Sequence, residues 1–357
     1  MQFIYFYVDY PWLMMLKEFA IYGLFNEYDY KVSLNEGEVT FIHSLNGFGK
    51  STVMRLISDV LKGNINEIGS TTFDRLDLKF DNGTSLIIEN DSEGLLVQIQ
   101  KNELEEELSA DELKNIMDVV YISPDRTVLT IDGELVPALS TYLTELSDTM
   151  RSAAEGHELV APPKKNGKKY SDDELEFHSK DLKAKLDFIK QAGFEPNMPP
   201  GYRFPPSRFE IMEYRKDYED LVASLDHYVD RFYFLAESVV VFMDIINDVY
   251  INKEVYINEK NILNVRMSNG TALPINKLSS GEKQMIIMTY LLLFRTRPGS
   301  IVIIDEPEIS LHIAWQQKLG KTLTDIAKLR NLQILVATHS PQIIHNDWDM
   351  AVELKTE

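Results

Sequence analysis

Apolar residues recur in a strand-like pattern from 17 to 43: Phe19 and Ile21, the aromatics between Tyr22 and Tyr30, then Val32 and Leu34. A turn at Asn35, Glu36 and Gly37 leads into the apolar stretch 39–42, so two hairpin strands should precede a buried one. The spacing then changes. Val53, Leu56, Ile57, Val60 and Leu61 repeat with helical period, and Gly63 stands where such a helix would stop. Alternation returns at 71–101, where Phe73, Leu76, Leu78 and Phe80, an Asp81, Asn82 and Gly83 turn, Leu86 to Ile88 and Leu95 to Ile99 predict an antiparallel meander. A further strand, 119–122, runs into Ser123, Pro124, Asp125 and Arg126.

From about 134 to 250 the pattern becomes that of long charged helices, broken at 161–170 and at 195–206, which holds five of the chain's 14 prolines. Strands are expected again at 255–257 and 262–267, a helix from 278 to 294, and buried strands at 301–304 and 334–337. The expected fold is α/β: a mixed, mainly parallel sheet, an antiparallel meander in the N-terminal lobe and an inserted α-helical domain. The expected division is an N-terminal lobe over 1–133, a helical insertion over 134–250 and a C-terminal lobe over 251–357.

Composition narrows the function classes. With 357 residues and 44% hydrophobic content the chain is long enough for one large core or two moderate ones. No uninterrupted apolar run reaches the roughly 18 residues of a membrane helix, since even 285–294 is short and contains Thr289. The aromatic-rich first 15 residues have no basic start and carry Asp9 and Pro11, which reads as a cytoplasmic leader before a start at Met14 or Met15. Zero cysteines remove disulfides and thiolate metal sites, in keeping with a cytoplasmic protein. A net charge of −20 opposes nonspecific nucleic-acid binding, so any DNA contact must be local. The compact basic run at Lys164, Lys165, Lys168 and Lys169 reads as a solvated hinge or, alternatively, as a DNA or partner contact.

Four segments carry candidate chemistry. A phosphate cradle needs glycines that turn the backbone inward, a lysine for the β and γ phosphates, and a hydroxyl for Mg²⁺. Asn46, Gly47, Phe48, Gly49, Lys50, Ser51 and Thr52 supply these parts between a strand and a helix, although Ser44 stands where the full pattern has its first glycine. Asp305 and Glu306 end a β-branched run, which places them at the carboxyl edge of a sheet, where ligands sit in open α/β folds. There Asp305, with Ser51, would serve the metal and Glu306 would act as general base on water. Ser279, Ser280, Gly281 and Glu282 open a helix; Ser279 with Glu282 is a capping box, and the same free N–H groups suit a γ-phosphate. His339 follows the 334–337 strand, at the same sheet edge as Glu306.

Leu278, Ser279, Gly281 and Glu282 before a helix resemble the signature of ABC ATPases, and Asp305 to Glu308 with Leu311, His312, Trp315 and Gln316 resembles the corresponding run of the SMC, RecF and OLD-like branch (AAA_15/AAA_21 type). Ile313 stands where those families usually carry proline. The stretch from Lys50 to Ser279 is longer than in transporters, yet lacks the sustained heptads of an SMC rod, and the chain ends 18 residues after His339, leaving no room for a fused nuclease. It thus resembles the stand-alone ATPase of bacterial antiphage systems such as PARIS or Septu.

That resemblance implies ATP and Mg²⁺ as cofactors. It implies a homo-oligomer, at least a dimer, in which Lys50, Ser51, Asp305, Glu306 and His339 of one chain face Ser279 and Gly281 of another. It also implies a protein effector such as a nuclease or toxin, with a DNA-repair ATPase of the RecF type as the competing reading. The family's usual glutamine after a central strand has no counterpart after 119–122; Gln98 and Gln100 lie in the meander. Arg126 reads either as a substitute phosphate or interlobe contact or as a salt-bridged structural arginine. Tyr22 and Phe25 read as adenine-stacking or as core residues.

Overall fold

A computed structural model describes residues 14–154 and 170–356, apart from 36, 46, 93, 102, 103 and 132. The Lys164 to Lys169 run, the leader over 1–13 and Asn46 therefore lie outside the described residues. The chain begins with β1 (Leu16–Leu24), β2 (Tyr28–Ser33), β3 (Val39–His43), α1 (Lys50–Lys62) and α2 (Ile65–Ser70). The meander follows as β4 (Arg75–Phe80), β5 (Thr84–Asp91), β6 (Gly94–Lys101) and β7 (Leu104–Glu107). Then come α3 (Ala110–Leu113), β8 (Val119–Ile122) and a hairpin of β9 (Val128–Ile131) and β10 (Glu134–Pro137).

A second stretch clusters by itself, from residue 139 to 278. It contains most of α4 (Ala138–Ala154), then α5 (Asp172–Gln191), α6 (Arg208–Glu213) and the 35-residue α7 (Arg215–Val249). It also contains β11 (Lys253–Ile257), β12 (Leu263–Met267) and β13 (Ala272–Leu273), paired antiparallel in one small sheet. Grouping these strands with the helices differs from the sequence-based expectation, which assigned them to the C-terminal lobe. The physical link is local: Asn247 on α7 donates to the Val255 carbonyl at 3.0 Å and accepts from its N–H at 2.7 Å.

The chain then returns through α8 (Ser280–Phe294), β14 (Ile301–Asp305), α9 (Ile313–Arg330), β15 (Gln333–Thr338), α10 (Pro341–Ile344) and β16 (Ala351–Glu353). These elements cluster with the N-terminal ones up to residue 138. Besides the two-stranded β9–β10 hairpin, the described residues of this unit form two larger sheets. One is antiparallel, in the order β2-β1-β4-β5-β6-β7; the other is parallel throughout, in the order β16-β3-β15-β14-β8. β14 and β15 are buried along their whole length and apolar except at their ends, where Asp305, Gln333 and Thr338 stand, as suits central parallel strands.

The core lies where the antiparallel sheet, α1 and the parallel sheet meet. Phe19, Ile21, Leu76 and Leu78 pack with Val53, Ile57 and Val60 of α1 and with Ile303 and Leu335. α1 begins at Gly49, whose left-handed φ of 72° turns the loop into the helix, and ends at Gly63, also left-handed. The two sheets are stitched by one buried side chain. Gln333, at the start of β15, accepts the Leu16 N–H at 2.9 Å and donates to the Leu16 carbonyl at 2.7 Å, so an amide side chain extends β1 by one backbone-like pair.

Replacing Gln333 by leucine leaves both Leu16 groups without those bonds while keeping apolar volume. The expected loss is about 1–3 kcal/mol of unfolding free energy in urea titration; unchanged stability would mean that the amide pair contributes nothing.

Candidate functional site

Three strands of the parallel sheet end together. β15 pairs with β3 so that Thr338 faces His43, and with β14 so that Ala337 faces Asp305. The segments that follow, 44–49 after β3, Glu306 after β14 and His339 after β15, therefore leave the sheet at one edge. A cleft of about 360 Å³ opens there, lined by Gly47, Gly49, Lys50, Ser51, Thr52, Glu306 and His339, with Phe25, Leu45 and Phe48 as its apolar wall.

Within it the polar groups are already engaged with one another. Ser51 Oγ donates to Asp305 Oδ1 at 3.1 Å, and Tyr121 on β8 donates its hydroxyl to Asp305 Oδ2 at 3.0 Å, so both oxygens of this buried carboxylate are held. His339 Nδ1 lies 3.0 Å from the Ser44 carbonyl, which can only accept, so Nδ1 carries the proton. The lone pair on Nε2 then faces Lys50 Nζ at 2.6 Å. The Glu306 carboxylate stands 3.9 Å from the same Nε2.

Burial pulls the Lys50 ammonium below its ordinary value, against the opposing pull of Glu308, Asp305 and Glu306. Burial raises the Tyr121 hydroxyl, and the neighbouring Asp305 charge adds to it, so Tyr121 stays a donor. The loop after β14 is tightly wound: Glu306 and Ser310 both adopt left-handed backbone, with φ of 46° and 64°. Glu308 fastens it to β15, accepting from the Thr338 hydroxyl at 2.9 Å and from the His339 N–H at 2.7 Å.

Lys50, Ser51, Asp305, Glu306 and His339 are thus brought together, with Gly47, Phe48, Gly49 and Thr52 around them. Ser279, Ser280, Gly281 and Glu282 do not line the cleft. They open α8, where Ser279 Oγ accepts the Glu282 N–H at 3.3 Å and the Glu282 carboxylate accepts the Ser279 N–H at 2.8 Å, the capping box expected from sequence. Ser279 and Ser280 are exposed. Phe25 lines the cleft wall, whereas Tyr22 does not.

Arg126 is buried, and it hydrogen-bonds to neutral oxygens: it donates to Gln284 Oε1 at 2.8 Å and to the carbonyls of Pro307 at 3.1 Å and Ser123 at 3.3 Å. Of the readings offered from sequence, the interlobe contact describes these bonds, since Gln284 and Pro307 belong to the C-terminal lobe; a salt bridge does not describe them. Tyr121 and Glu308 escaped the sequence reading as site residues. Tyr121 showed only as a strand residue, since its partner lies 184 positions away. Glu308 had a signal in its place two residues after Glu306.

The family model described as "AAA domain, putative AbiEii toxin, Type IV TA system" (AAA_21) matches residues 164–345. Among curated proteins, the chain is similar to "Retron Ec83 probable ATPase" of Escherichia coli, 35% identical over 88 residues, covering 22% of this chain and 16% of that protein. It is similar to "Retron Vc95 probable ATPase" of Vibrio cholerae, 29% identical over 121 residues, covering 31% and 22%. It is also similar to "Probable iron chelatin transport ATP-binding protein" of Helicobacter pylori, 33% identical over 81 residues, covering 23% and 31%. The chain thus spans under a third of the length of each of these relatives. Among solved structures, the Smc head domain from Pyrococcus furiosus, determined with an extended coiled coil and bound to the C-terminal domain of ScpA, matches 96% of this chain and 94% of its own at 12% identity and a TM-score of 0.50. That likeness concerns the fold. With the family model covering just over half of its 357 residues, the chain belongs to the AAA_21 family and has the fold of an ABC-type, SMC-like ATPase.

Proposed function

We propose that this protein binds ATP with Mg²⁺ and hydrolyses it between two copies of the chain, and that this cycle controls a separately encoded effector, such as a nuclease or toxin, in antiphage defence. The observation that carries the reading is the convergence at one sheet edge of Lys50, Ser51, Asp305, Glu306 and His339. The Lys50 ammonium, now spent on His339, is the group a β or γ phosphate oxygen would draw away.

The donor set suits Mg²⁺. Ser51 Oγ and Asp305 Oδ1 are hard oxygens 3.1 Å apart, and this ion characteristically takes one or two protein oxygens and completes its shell with water and phosphate. When bound, Mg²⁺ would neutralise charge on the transferring phosphoryl group. Tyr121 keeps the Asp305 carboxylate oriented. Glu306, beyond the end of the buried strand and partly exposed, would take a proton from an attacking water, with His339 Nε2 3.9 Å from its carboxylate.

Ser279 and Ser280, exposed at a helix N-terminus and outside their own chain's cleft, have the chemistry to bind the γ-phosphate of another copy's nucleotide. The likeness to two retron ATPases favours the defence role. The charge of α7, with eight acidic against three basic residues, favours a protein partner over DNA on that helix. Among the described residues no helix is long and apolar enough to cross a membrane; the proposed site of action is the cytoplasm.

Glu306→Gln should retain ATP while its turnover falls by about 100-fold or more; wild-type hydrolysis in that variant would exclude Glu306 as the base. Lys50→Ala should weaken ATP binding by about 10-fold or more in calorimetry, and unchanged affinity would contradict the phosphate-loop assignment.

A further inference from the structure

The N-terminal part of α8 grips the acidic loop 306–310 of its own chain at two points. Gly281 lies so close to Ser310 that a methyl group added there would collide with the Ser310 carbonyl oxygen. One turn further on, Gln284 Oε1 accepts from Arg126, and the same guanidinium nitrogen donates to the Pro307 carbonyl. The gripped loop begins and ends in left-handed backbone, at Glu306 and Ser310, so it is held in a conformation that its sequence does not favour. Its middle residue, Glu308, holds the His339 N–H.

Two hydrogen-bonding positions in this cluster are unspent. Arg126 Nε and Glu308 Oε2 are both buried and without a partner. Buried groups of this strength are nearly always paired. The carboxylates of Glu308 and Asp305 act to keep Arg126 protonated. Burial lowers the Arg126 guanidinium to about 10, so it remains a cation near neutral pH. The Pro307 carbonyl that Arg126 holds belongs to the peptide unit leading into Glu308, so a guanidinium with a free donor grips the backbone beside a carboxylate with a free acceptor.

We propose that Arg126 and Glu308 form a buried relay that couples the position of α8, and hence of Ser279, to the setting of Glu306 and His339. This rests on the reading of the cleft as an ATPase site. In the arrangement seen, Arg126 ties Gln284 to Pro307. When a nucleotide held by another copy engages the start of α8, the pull passes through Gly281 and Gln284 to the loop, and Arg126 turns toward Glu308. Glu306 is thereby set for catalysis only when both halves of a site are present. Arg126 and Glu308 are positioning residues, since neither lines the cleft.

The test uses the full chain, with Arg126→Gln, Gln284→Leu and the pair combined. Each single variant should lower kcat by about 10- to 100-fold, the cost of a misplaced catalytic group. The dissociation constant for ATP should stay within about threefold of wild type. The double variant should lose no more than the worse single one, because both residues act through one relay. Trp315 provides a readout independent of turnover, since it packs beside Gly281. In a Trp12→Phe, Trp348→Phe background, ATP should change its fluorescence in wild type and not in Gln284→Leu. Full kcat in either folded single variant, losses that multiply in the double, or an intact fluorescence response would overturn the relay. If Arg126→Gln fails to fold, Gln284→Leu alone decides. Absence of ATP hydrolysis in the wild-type chain would instead overturn the ATPase reading, and the relay with it.

Discussion

The parallel register of β3, β15 and β14 is the constraint from which the rest follows. With Ala337 opposite Asp305 and Thr338 opposite His43, three connections leave the sheet at the same level. Side chains alternate along a strand, so a slip of one residue would turn Asp305 to the other face and move every buried side chain of β14 with it. The buried apolar side chains of Ile301, Val302, Ile303 and Ile304 make such a slip costly. The edge that carries the cleft is therefore specified by hydrophobic burial several residues away from it.

The same core makes the site expensive to build. Lys50, Arg126 and Asp305 are each almost fully buried, and a buried charge is tolerated only when opposite charge and hydrogen bonds replace the lost water. Asp305 meets this with Ser51 and Tyr121, and Lys50 with His339 and three nearby carboxylates. Such groups contribute little net stability. What they supply is a single arrangement of donors and acceptors around a space of nucleotide-binding chemistry. Arg126 and Glu308 are the exception, each keeping one buried polar atom unspent, and for that reason the network around the acidic loop has an alternative state.

Much of this was legible in the chain. The continuous run before Asp305 and the helical spacing after Lys50 announce a buried strand and a strand-loop-helix unit, because burial on both faces and burial on one face leave different patterns. β7 was not legible: its four residues, Leu104 to Glu107, are all exposed, so no alternation marks them, and the strand exists only through pairing with β6. The β9–β10 hairpin also lacks a buried face. Of the site, the residues carrying charge or glycine were visible. Tyr121 and the Gln284–Arg126–Pro307 bridge were not, since their contacts join positions 158 to 184 residues apart and depend on the folded sheet.

The central claim is that one chain holds half of each site, with Glu306 and Ser279 of any site drawn from different copies. A mixing experiment tests it most directly. Glu306→Gln and Ser279→Arg chains are each assayed for ATP hydrolysis alone and then combined in equal amounts. Each alone should be inactive. The mixture should recover about a quarter of the wild-type rate, because half of the dimers are mixed and each of those rebuilds one intact site of two. A mixture as inactive as its components would contradict the account.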